Sequence, residues 1–365
     1  MHVDHKKIKV LIVDDSALIR AILKEMIDQA DDMEVIGTAR DPLIARDKIR
    51  ELNPDVITLD IEMPNMDGLE FLEKLMRLRP MPVLMISTLT EKGSAATLRA
   101  LELGAVDFIA KPKVDIKNKL ETYAAEITEK IRIVAQAKVR PLQGASLGKS
   151  LTNSLKAKPT KVKPLKLGAK QIHEKDKQKL IVIGASTGGT EAIKEILIDM
   201  PADCPPILIV QHMPEGFTKS YAARLNSLCD ITVAEAIQNE RIVAGRAYLA
   251  PGGFHLSIAR SNGYYACQIS EDAAVNHHRP SVDVLFNSVA KIAKKNAIGI
   301  ILTGMGKDGA AGLKVLHDLG CKTFAQDEAS CVVFGMPKEA IARGAVDIIA
   351  PIHEMAESIL DALTL

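Results

Sequence analysis

Short apolar runs alternate with amphipathic segments along most of this chain of 365 residues. Between residues 6 and 132, each of five runs rich in β-branched residues precedes a segment whose apolar residues recur at helical spacing. The five runs are KVLIVDD, MEVIGTA, DVITLDI, PVLMIST and AVDFIAK. Such alternation is typical of a parallel sheet with helices on both faces. We therefore predict that residues 6–132 form a doubly wound (βα)5 domain of the α/β class.

The alternation stops after residue 132. Residues 138–179 contain eleven lysines, two acidic residues and three prolines, with little apolar periodicity. A segment of this composition buries too little apolar surface to offset the entropy that it would lose on ordering. We therefore predict a flexible, lysine-rich linker over residues 133–178. A nucleic-acid-binding tail is the alternative, but the aromatic residues that usually accompany one are missing from the segment.

Strand–helix alternation resumes at residue 179 and continues to residue 365. Apolar runs such as KLIVIGAS, PPILIVQHM and AIGIILTGM are separated by amphipathic segments such as VDVLFNSVAKIAKK. This pattern predicts a second α/β domain over residues 179–365, built on a parallel sheet with its own core.

The composition disfavours several classes of protein. A net charge of +1 creates no field that selects nucleic acid or membrane. Five cysteines without C-x-x-C spacing disfavour a disulfide framework or a zinc site, and they indicate a reducing compartment. No apolar run approaches the roughly 18 residues that a membrane span needs, and the first residues do not resemble a secretory signal. We therefore expect a cytoplasmic protein with no nucleic-acid partner and no membrane insertion.

Acidic residues follow two apolar strands of the first domain: Asp14 and Asp15 follow one, and Asp60 ends another. The carboxyl ends of parallel strands form the ligand-binding crevice of an open sheet. Carboxylates crowded there repel unless a cation joins them, and oxygen ligands suit Mg²⁺. A carboxylate neutralised in this way can attack a phosphoryl donor. Ser87 and Lys111 end two further strands at the same edge, where a hydroxyl and an ammonium would contact the phosphoryl oxygens.

The segments LIVDDSALIR, DVITLDIEMPNMDGLEFL, PVLMIST and DFIAKP resemble the receiver domain of two-component response regulators. The resemblance covers the whole first domain and implies that Asp60 is the phosphorylation site. It also implies that Asp14, Asp15 and Asp60 hold Mg²⁺, and it assigns three further residues to the switch: the hydroxyl of Ser87, the aromatic ring of Phe108 and the phosphate-contacting Lys111. Many such domains have Tyr at the aromatic position, so that Phe108 lacks a hydroxyl.

The stretch KLIVIGASTGGTEAI in the second domain has two interpretations. A glycine-rich turn between a strand and a helix can hold a nucleotide phosphate, but the spacing is not G-x-G-x-x-G, and the next strand ends in Gln211 and His212 instead of an acid. Alternatively, Ser186 in this turn is a nucleophile, with backbone N–H groups at the helix start available to an oxyanion.

A serine nucleophile requires a base and an acid that orients the base. His212 ends the neighbouring apolar strand and is the candidate base. Three acids lie near strand ends or helix starts: Asp308, Asp283 and Asp327. Asp283 is more simply a first-turn helix residue after an N-cap at Ser281, and Asp327 a loop-closing residue, but spacing alone does not choose among the three. Five further histidines of the second domain share no metal-ligand spacing, and we expect most of them on the surface or in local packing: His255, His277, His278, His317 and His353.

The segments VIGASTGG, IVQHMP, YLAPGG, HRPSVDVLF, ILTGMGKDGAAGL and AQDEASCVVFGMP resemble the catalytic domain of chemotaxis protein-glutamate methylesterases, the CheB family. The resemblance runs from about residue 179 to the end of the chain. It implies that Ser186 is the nucleophile, His212 the base and Asp308 the orienting acid. It also implies an oxyanion role for the loop residues Thr187 and Met305, the latter through its backbone N–H.

By this resemblance the chain is a hydrolase that is activated by phosphorylation. Its expected substrates are glutamate methyl esters of methyl-accepting chemoreceptors, with glutamine deamidation as a second activity and the chemotaxis histidine kinase as phosphodonor. The receiver domain requires Mg²⁺, the catalytic domain requires no cofactor, and the unphosphorylated receiver is expected to cover the esterase crevice. The alternatives are a non-catalytic phosphorylation-dependent adaptor and a nucleotide-binding α/β domain fused to a receiver. A DNA-binding second domain is disfavoured because the region after residue 179 shows no basic helix-turn-helix pattern.

Overall fold

The computed structural model describes residues 6–63, 66–88, 90–111, 117–139 and 179–364. The first domain has five strands in the described part: β1 (Ile8–Val13), β2 (Met33–Ala39), β3 (Val56–Asp60), β4 (Val83–Ser87) and β5 (Asp107–Ala110). Its helices alternate with them: α1 (Ala17–Asp28), α2 (Pro42–Leu52), α3 (Gly68–Leu78), α4 (Glu91–Glu102) and α5 (Lys117–Ala135). All neighbouring strands are parallel, in the order β2-β1-β3-β4-β5. The predicted (βα)5 fold is confirmed.

Short polar side chains begin the first four helices of this domain. Ser16, Asp41, Asp67 and Thr90 each accept a hydrogen bond from a backbone N–H in the first turn of the helix that follows. Such caps satisfy donors that a helix start would otherwise leave unpaired. Each cap therefore fixes the residue at which its helix begins.

The second domain is built on a seven-stranded parallel sheet in the order β14-β13-β12-β6-β7-β9-β8. Its strands are β6 (Leu180–Ala185), β7 (Ile207–Gln211), β8 (Thr232–Glu235), β9 (Arg246–Leu249), β12 (Ala297–Ile301), β13 (Lys322–Gln326) and β14 (Ile348–Ala350). An antiparallel hairpin, β10 (His255–Ser261) and β11 (Tyr264–Ser270), lies outside this sheet. The helices are α6 (Gly189–Ile198), α7 (Thr218–Leu228), α8 (Val282–Ile292), α9 (Ala310–Asp318), α10 (Met336–Ala342) and α11 (Ile352–Thr364). The predicted parallel α/β domain is confirmed.

The central strands β6, β7 and β12 are buried along their whole length. This explains their continuous apolar sequences, because a parallel strand covered on both faces has no solvent-facing side to mark with polar residues. Helix α8 packs on one face of the sheet through Leu285, Phe286 and Val289. Helices α6 and α11 pack on the other. Both neighbours of β6 are thereby held firmly, and the loops at their carboxyl ends share one edge.

The end of α5 differs from the predicted domain boundary. The helix continues to Ala135, three residues beyond residue 132. Most of the predicted linker, residues 140–178, lies outside the described residues. None of the helices in the described part combines the length and the apolar character that crossing a membrane requires.

Candidate active site

Ser186 lies in the turn between β6 and α6, at the carboxyl edge of the seven-stranded sheet. Its backbone N–H donates to the carbonyl of Thr303, 3.0 Å away, at the end of the neighbouring strand β12. Two glycines allow this close approach. Gly188 has a φ of 77°, in the left-handed region, and a Cβ on Gly304 would lie 2.6 Å from the Cβ of Ser186. The turn therefore places a half-buried hydroxyl where two strand ends meet.

His212 lies directly after β7, the neighbour of β6 on its other side. Ala185 and Gln211 are paired residues in the two strands, so that Ser186 and His212 are the next residues along each. The backbone N–H of His212 donates to the carbonyl of Ala185 at 3.0 Å. No hydrogen bond joins the Ser186 hydroxyl to the imidazole in the described part of the chain. The sheet thus brings the two groups to adjacent strand ends.

A buried ion pair joins the imidazole to the predicted acid. His212 Nε2 lies 2.8 Å from Asp308 Oδ2, and the two side chains are 7% and 1% exposed. Burial by itself would raise the pKa of Asp308, but the hydrogen bond and charge of His212, together with the hydrogen bonds from Asn276 and Ser281, outweigh it and hold the pKa of this carboxyl well below its usual value. Asp308 is therefore ionised at neutral pH. An ionised Asp308 can only accept, so Nε2 of His212 carries the proton between them. The other ring nitrogen, Nδ1, is buried and has no partner among the described residues, so that its lone pair is available to accept a proton.

The Asp308 carboxylate also begins helix α8. Its oxygens accept from the Ser281 hydroxyl at 2.7 Å and from the Val282 N–H at 2.7 Å. Ser281 stands at the N-cap position, as predicted, but its side chain makes no capping bond. Asp308, from another loop, takes that role because its negative charge suits the positive end of the helix. We did not predict from the sequence that Asp308, and not Ser281, caps helix α8.

The two rival acids have other partners. Asp283 lies in the first turn of α8, as predicted, and accepts a hydrogen bond from the Gly312 N–H at 2.6 Å. Asp327 accepts from the backbone N–H and the hydroxyl of Ser330 in its own loop. The structure therefore brings only Asp308, of these three acids, within hydrogen-bonding distance of His212 in the described residues.

The two predicted oxyanion residues lie on either side of Ser186. Thr187 is buried, and its carbonyl accepts a 3.0 Å hydrogen bond from the Thr303 hydroxyl. Met305 follows Gly304, and its side chain is 36% exposed. Within the described residues, no backbone carbonyl accepts from the N–H of either residue. Both N–H groups are thus available to a negatively charged oxygen.

The predicted metal ligands meet at the carboxyl edge of the first sheet. One oxygen from each of Asp14, Asp15 and Asp60 lies within 4.8 Å of the others. Burial and the charge of Asp14 raise the pKa of Asp60 to about 6, although Lys111 donates to its carboxylate at 2.7 Å. Asp14 Oδ2 is buried and lies 3.5 Å from Lys111 Nζ, and no hydrogen bond to this oxygen is present among the described residues. A cluster of hard oxygen donors that includes such an oxygen fits Mg²⁺.

The other two predicted switch residues point away from this cluster. The Ser87 hydroxyl accepts from Thr97 at 2.6 Å, on helix α4. Phe108 is buried, and its ring centroid lies 4.5 Å from that of Phe217 in the second domain. The aromatic residue of the receiver therefore forms part of the contact between the domains.

Three polar contacts surround the Phe108–Phe217 pair. Thr187, the residue after Ser186, donates its hydroxyl to Asp107 of the receiver at 2.7 Å. The Ser94 hydroxyl donates to the Gly216 carbonyl at 3.3 Å. Farther out, Arg224 pairs with Glu102 at 2.9 Å. The α4–β5 face of the receiver thus lies against the loops that carry the predicted catalytic residues.

Comparison with known proteins identifies the family of this chain. The family model described as CheB methylesterase matches residues 181–359, and that of the response regulator receiver domain matches residues 10–121. A protein-glutamate methylesterase/protein-glutamine glutaminase of Nitrosomonas europaea is 60% identical over 358 residues, which are 98% of this chain and 97% of that protein. The chain belongs to the CheB methylesterase family.

Two further comparisons extend this result for the CheB-family chain. A relative of the same name from Geobacter metallireducens is 60% identical over 95% of this chain and 94% of its own length. The crystal structure of the CheB methylesterase catalytic domain of Thermotoga maritima is 42% identical, with a TM-score of 0.50, and it covers 50% of this chain and 98% of that one.

Several residues that shape the site were not predicted. His278 stacks on His212 with ring centroids 3.7 Å apart and an angle of 15° between the planes. Burial, with a smaller effect from His212, lowers the pKa of His278 to about 3. We expected His278 on the surface or in local packing, and the structure places it in a packing contact with the candidate base. Gln211 donates to the Ser186 carbonyl at 2.8 Å. Its place directly before His212 in the apolar run was the available signal.

Proposed function

We propose that this chain is a protein-glutamate methylesterase that demethylates methyl-accepting chemoreceptors during chemotaxis and also hydrolyses side-chain amides of glutamine. The first reaction converts a glutamate γ-methyl ester and water into glutamate and methanol. The second converts glutamine and water into glutamate and ammonia. Relatives with this name that are 60% identical over nearly the full length support the proposal.

The observation that carries the proposal is the 2.8 Å contact between His212 and Asp308 beside the strand end that holds Ser186. In the proposed mechanism, Ser186 Oγ attacks the ester carbonyl carbon while His212 Nδ1 accepts the hydroxyl proton. Asp308 stabilises the imidazolium that forms. The bond to the methoxy oxygen then breaks, and His212 gives its proton to the leaving group, which departs as methanol.

Hydrolysis of the acyl-enzyme reverses these roles. His212 accepts a proton from water as the water oxygen attacks the acyl carbon, and it then returns the proton to Ser186. In both steps a negative charge develops on the former carbonyl oxygen. The backbone N–H groups of Thr187 and Met305 are our candidates for stabilising it, since preorganised donors of this kind contribute much of the rate in acyl transfer.

The receiver domain is proposed to regulate this reaction. Asp60 accepts a phosphoryl group from a histidine kinase, and Lys111 contacts the phosphoryl oxygens. Mg²⁺ bound by Asp14, Asp15 and Asp60 would neutralise the negative charge that accumulates on the phosphoryl group. In the unphosphorylated chain the receiver limits access to Ser186 through the contacts of Asp107 and Phe108. Phosphorylation favours an arrangement in which these contacts are released.

The test is methanol release from methylated chemoreceptor, with and without a small phosphodonor. We expect Ser186→Ala to lower turnover by roughly 10⁴- to 10⁶-fold while the fold is retained. Asp60→Asn is expected to keep the resting activity but lose the activation. Near-normal turnover by Ser186→Ala would refute the assigned nucleophile and favour a non-catalytic adaptor.

A further inference from the structure

Two buried carboxylates lie side by side behind the His212–Asp308 pair. Asp283 is 7% exposed and Asp308 is 1% exposed. The amide nitrogen of Asn276 lies between them, 2.8 Å from Asp283 Oδ2 and 2.8 Å from Asp308 Oδ1. The amide has two protons on this nitrogen, and each carboxylate takes one. Asn276 therefore bridges two buried carboxyl groups with a single neutral group.

The bridge acts on the side of Asp308 that faces away from the imidazole. Asp308 Oδ1 accepts from Asn276, from the Ser281 hydroxyl and, at 3.3 Å, from the Asp283 N–H, whereas Oδ2 accepts from His212 and from the Val282 N–H. A carboxylate with both oxygens fixed by donors cannot rotate about its χ2 angle without breaking several hydrogen bonds. Its orientation towards His212 is thus set in part by the groups on Oδ1.

The loop that contains Asn276 also contains His278, whose ring stacks on the imidazole of His212. Asn276 has a φ of 52°, in the left-handed region that asparagine enters more readily than most residues. Just beside it, Val275 and His278 exchange two backbone hydrogen bonds at 3.1 and 2.9 Å. This short bridge closes the loop and places the His278 ring 3.7 Å from that of His212. Asn276 therefore lies in the loop that carries His278 and also contacts the acid.

We propose that Asn276 is a positioning residue for the hydrolase relay. Its amide holds Asp308 with Oδ2 towards His212 and separates the charges of Asp308 and Asp283, and its loop holds His278 against the imidazole. Asn276 does not touch the substrate. This inference rests on the proposed methylesterase function.

The variants Asn276→Ala and Asn276→Asp test the two parts of the argument. Ala removes both hydrogen bonds, whereas Asp keeps the shape and the tolerance for positive φ but replaces a donor by a third negative charge. Without the hydrogen bond from the Asn276 amide, the negative charge of Asp308 is less stabilised and therefore attracts the proton of protonated His212 more strongly, which raises the pKa of the imidazole. A carboxylate at position 276 adds a further negative charge and raises this pKa more. We therefore expect the acidic limb of the kcat profile to move to higher pH, farther for Asp than for Ala.

The experiment measures methanol release from methylated receptor by the full-length, phosphorylated chain between pH 5 and 9. The concentration of reactive Ser186 is counted by titration with a serine-directed phosphonate. We expect kcat per titrated site to fall about 10- to 100-fold, with KM changed by less than about twofold, because a misplaced relay slows the chemical step. The matched control is Asn262, an exposed asparagine with a φ of 47° in the turn between β10 and β11. Asn262→Ala and Asn262→Asp should match wild type.

The outcomes separate this inference from the function on which it rests. If wild type releases no methanol, the proposed function fails. If wild type is active and the Asn276 variants keep its kcat per titrated site and its pH profile, the positioning role is refuted. A loss explained entirely by fewer titrated sites would also refute it, because Asn276 would then serve only folding. Since Asp retains the shape of Asn, its pH profile remains informative if the Ala variant does not fold.

Discussion

Removal of the hydrogen bond between Thr187 and Asp107 should raise the resting methylesterase activity of the full-length chain. The Thr187 hydroxyl donates to Asp107 Oδ2 at 2.7 Å, and both side chains are buried. This hydrogen bond joins the receiver to the residue that follows Ser186. The substitution Thr187→Val removes the hydroxyl with little change in volume and leaves the backbone N–H in place.

The size of the effect follows from what remains around Asp107. A hydrogen bond to a charged group contributes about 1.5–3 kcal/mol. After the substitution, Asp107 keeps its 3.0 Å ion pair with Lys130, so that the carboxylate is not left without a partner. We therefore expect the lower end, about 1.5 kcal/mol, which corresponds to roughly tenfold in the ratio of released to docked receiver. If about 1% of resting molecules are released, the activity should rise roughly tenfold.

The assay is methanol release from methylated receptor, expressed as the ratio of resting to phosphorylated activity for each variant. This ratio cancels any direct effect of Thr187→Val on catalysis. Asp107→Asn should raise the ratio in the same direction because it removes the charge of the acceptor, and the double variant should gain less than the sum of the two single effects, because both substitutions act on the same interaction. Arg224→Gln is the comparison at the edge of the contact. Its side chain is 47% exposed, so that losing the pair with Glu102 should shift the equilibrium by only about 0.2–1 kcal/mol.

Two results would contradict this reasoning. An unchanged activity ratio in Thr187→Val would mean that the hydrogen bond does not hold the receiver in place. A larger increase from Arg224→Gln than from Thr187→Val would mean that the exposed edge of the contact, and not its buried centre, sets the equilibrium.

Three further predictions concern other parts of the molecule. Burial lowers the pKa of His278 to about 3, so the ring is neutral in the folded chain and protonated in the unfolded chain below about pH 6.5. Its contribution to stability is therefore present above about pH 6.5 and is lost as the pH falls towards 3; His278→Phe should reduce the loss at pH 5 by about 2 kcal/mol, as measured by urea unfolding. Gly304→Ala should abolish esterase activity, because the new Cβ would lie 2.6 Å from the Cβ of Ser186 and 2.4 Å from Met336 Sδ; retention of even a tenth of wild-type turnover would contradict the close approach. Chelation of Mg²⁺ should prevent phosphorylation of Asp60 by a small phosphodonor while leaving the resting esterase activity unchanged, and incorporation of the phosphoryl group without divalent cations would argue against the carboxylate site.

Both parallel sheets could be predicted from the sequence because their central strands are continuous apolar runs. Strands β6, β7 and β12 are fully buried; Ser186 and His212 directly follow the first two, and Asp308 lies in the loop after the third. Strand β8 was missed because it has only four residues and lies at the sheet edge, where burial does not enforce an apolar sequence. Strand β11 was missed because its residues are mostly half-buried.

The candidate site was predictable where a strand position determines a residue's place. Ser186 and His212 follow paired strands, so their proximity follows from the parallel order. Asp308 was chosen over Asp283 and Asp327 through family resemblance, since each of the three acids lies near a strand end or a helix start. Asn276 was missed because its contact with Asp308 joins residues 32 positions apart, in a loop with no periodic pattern.

The contact between the domains was expected only in outline. The hydrogen bond from Thr187 to Asp107 spans 80 positions and depends on how two separately folded units meet. The hydrophobic pattern of each domain predicts the sheet and core of that domain, but it does not predict which residues meet across the contact between the two domains. The specific partners therefore required coordinates.

The dual use of Asp308 constrains how this enzyme can change. The same carboxylate accepts hydrogen bonds from Nε2 of His212 and from the first backbone N–H of helix α8. A substitution that inactivates the relay would therefore also loosen the start of a core helix. A lineage in which demethylation was no longer needed would retain this acid for folding after selection on turnover had ceased. The presence of the acid in a distant homologue therefore indicates activity less strongly than the presence of the serine does.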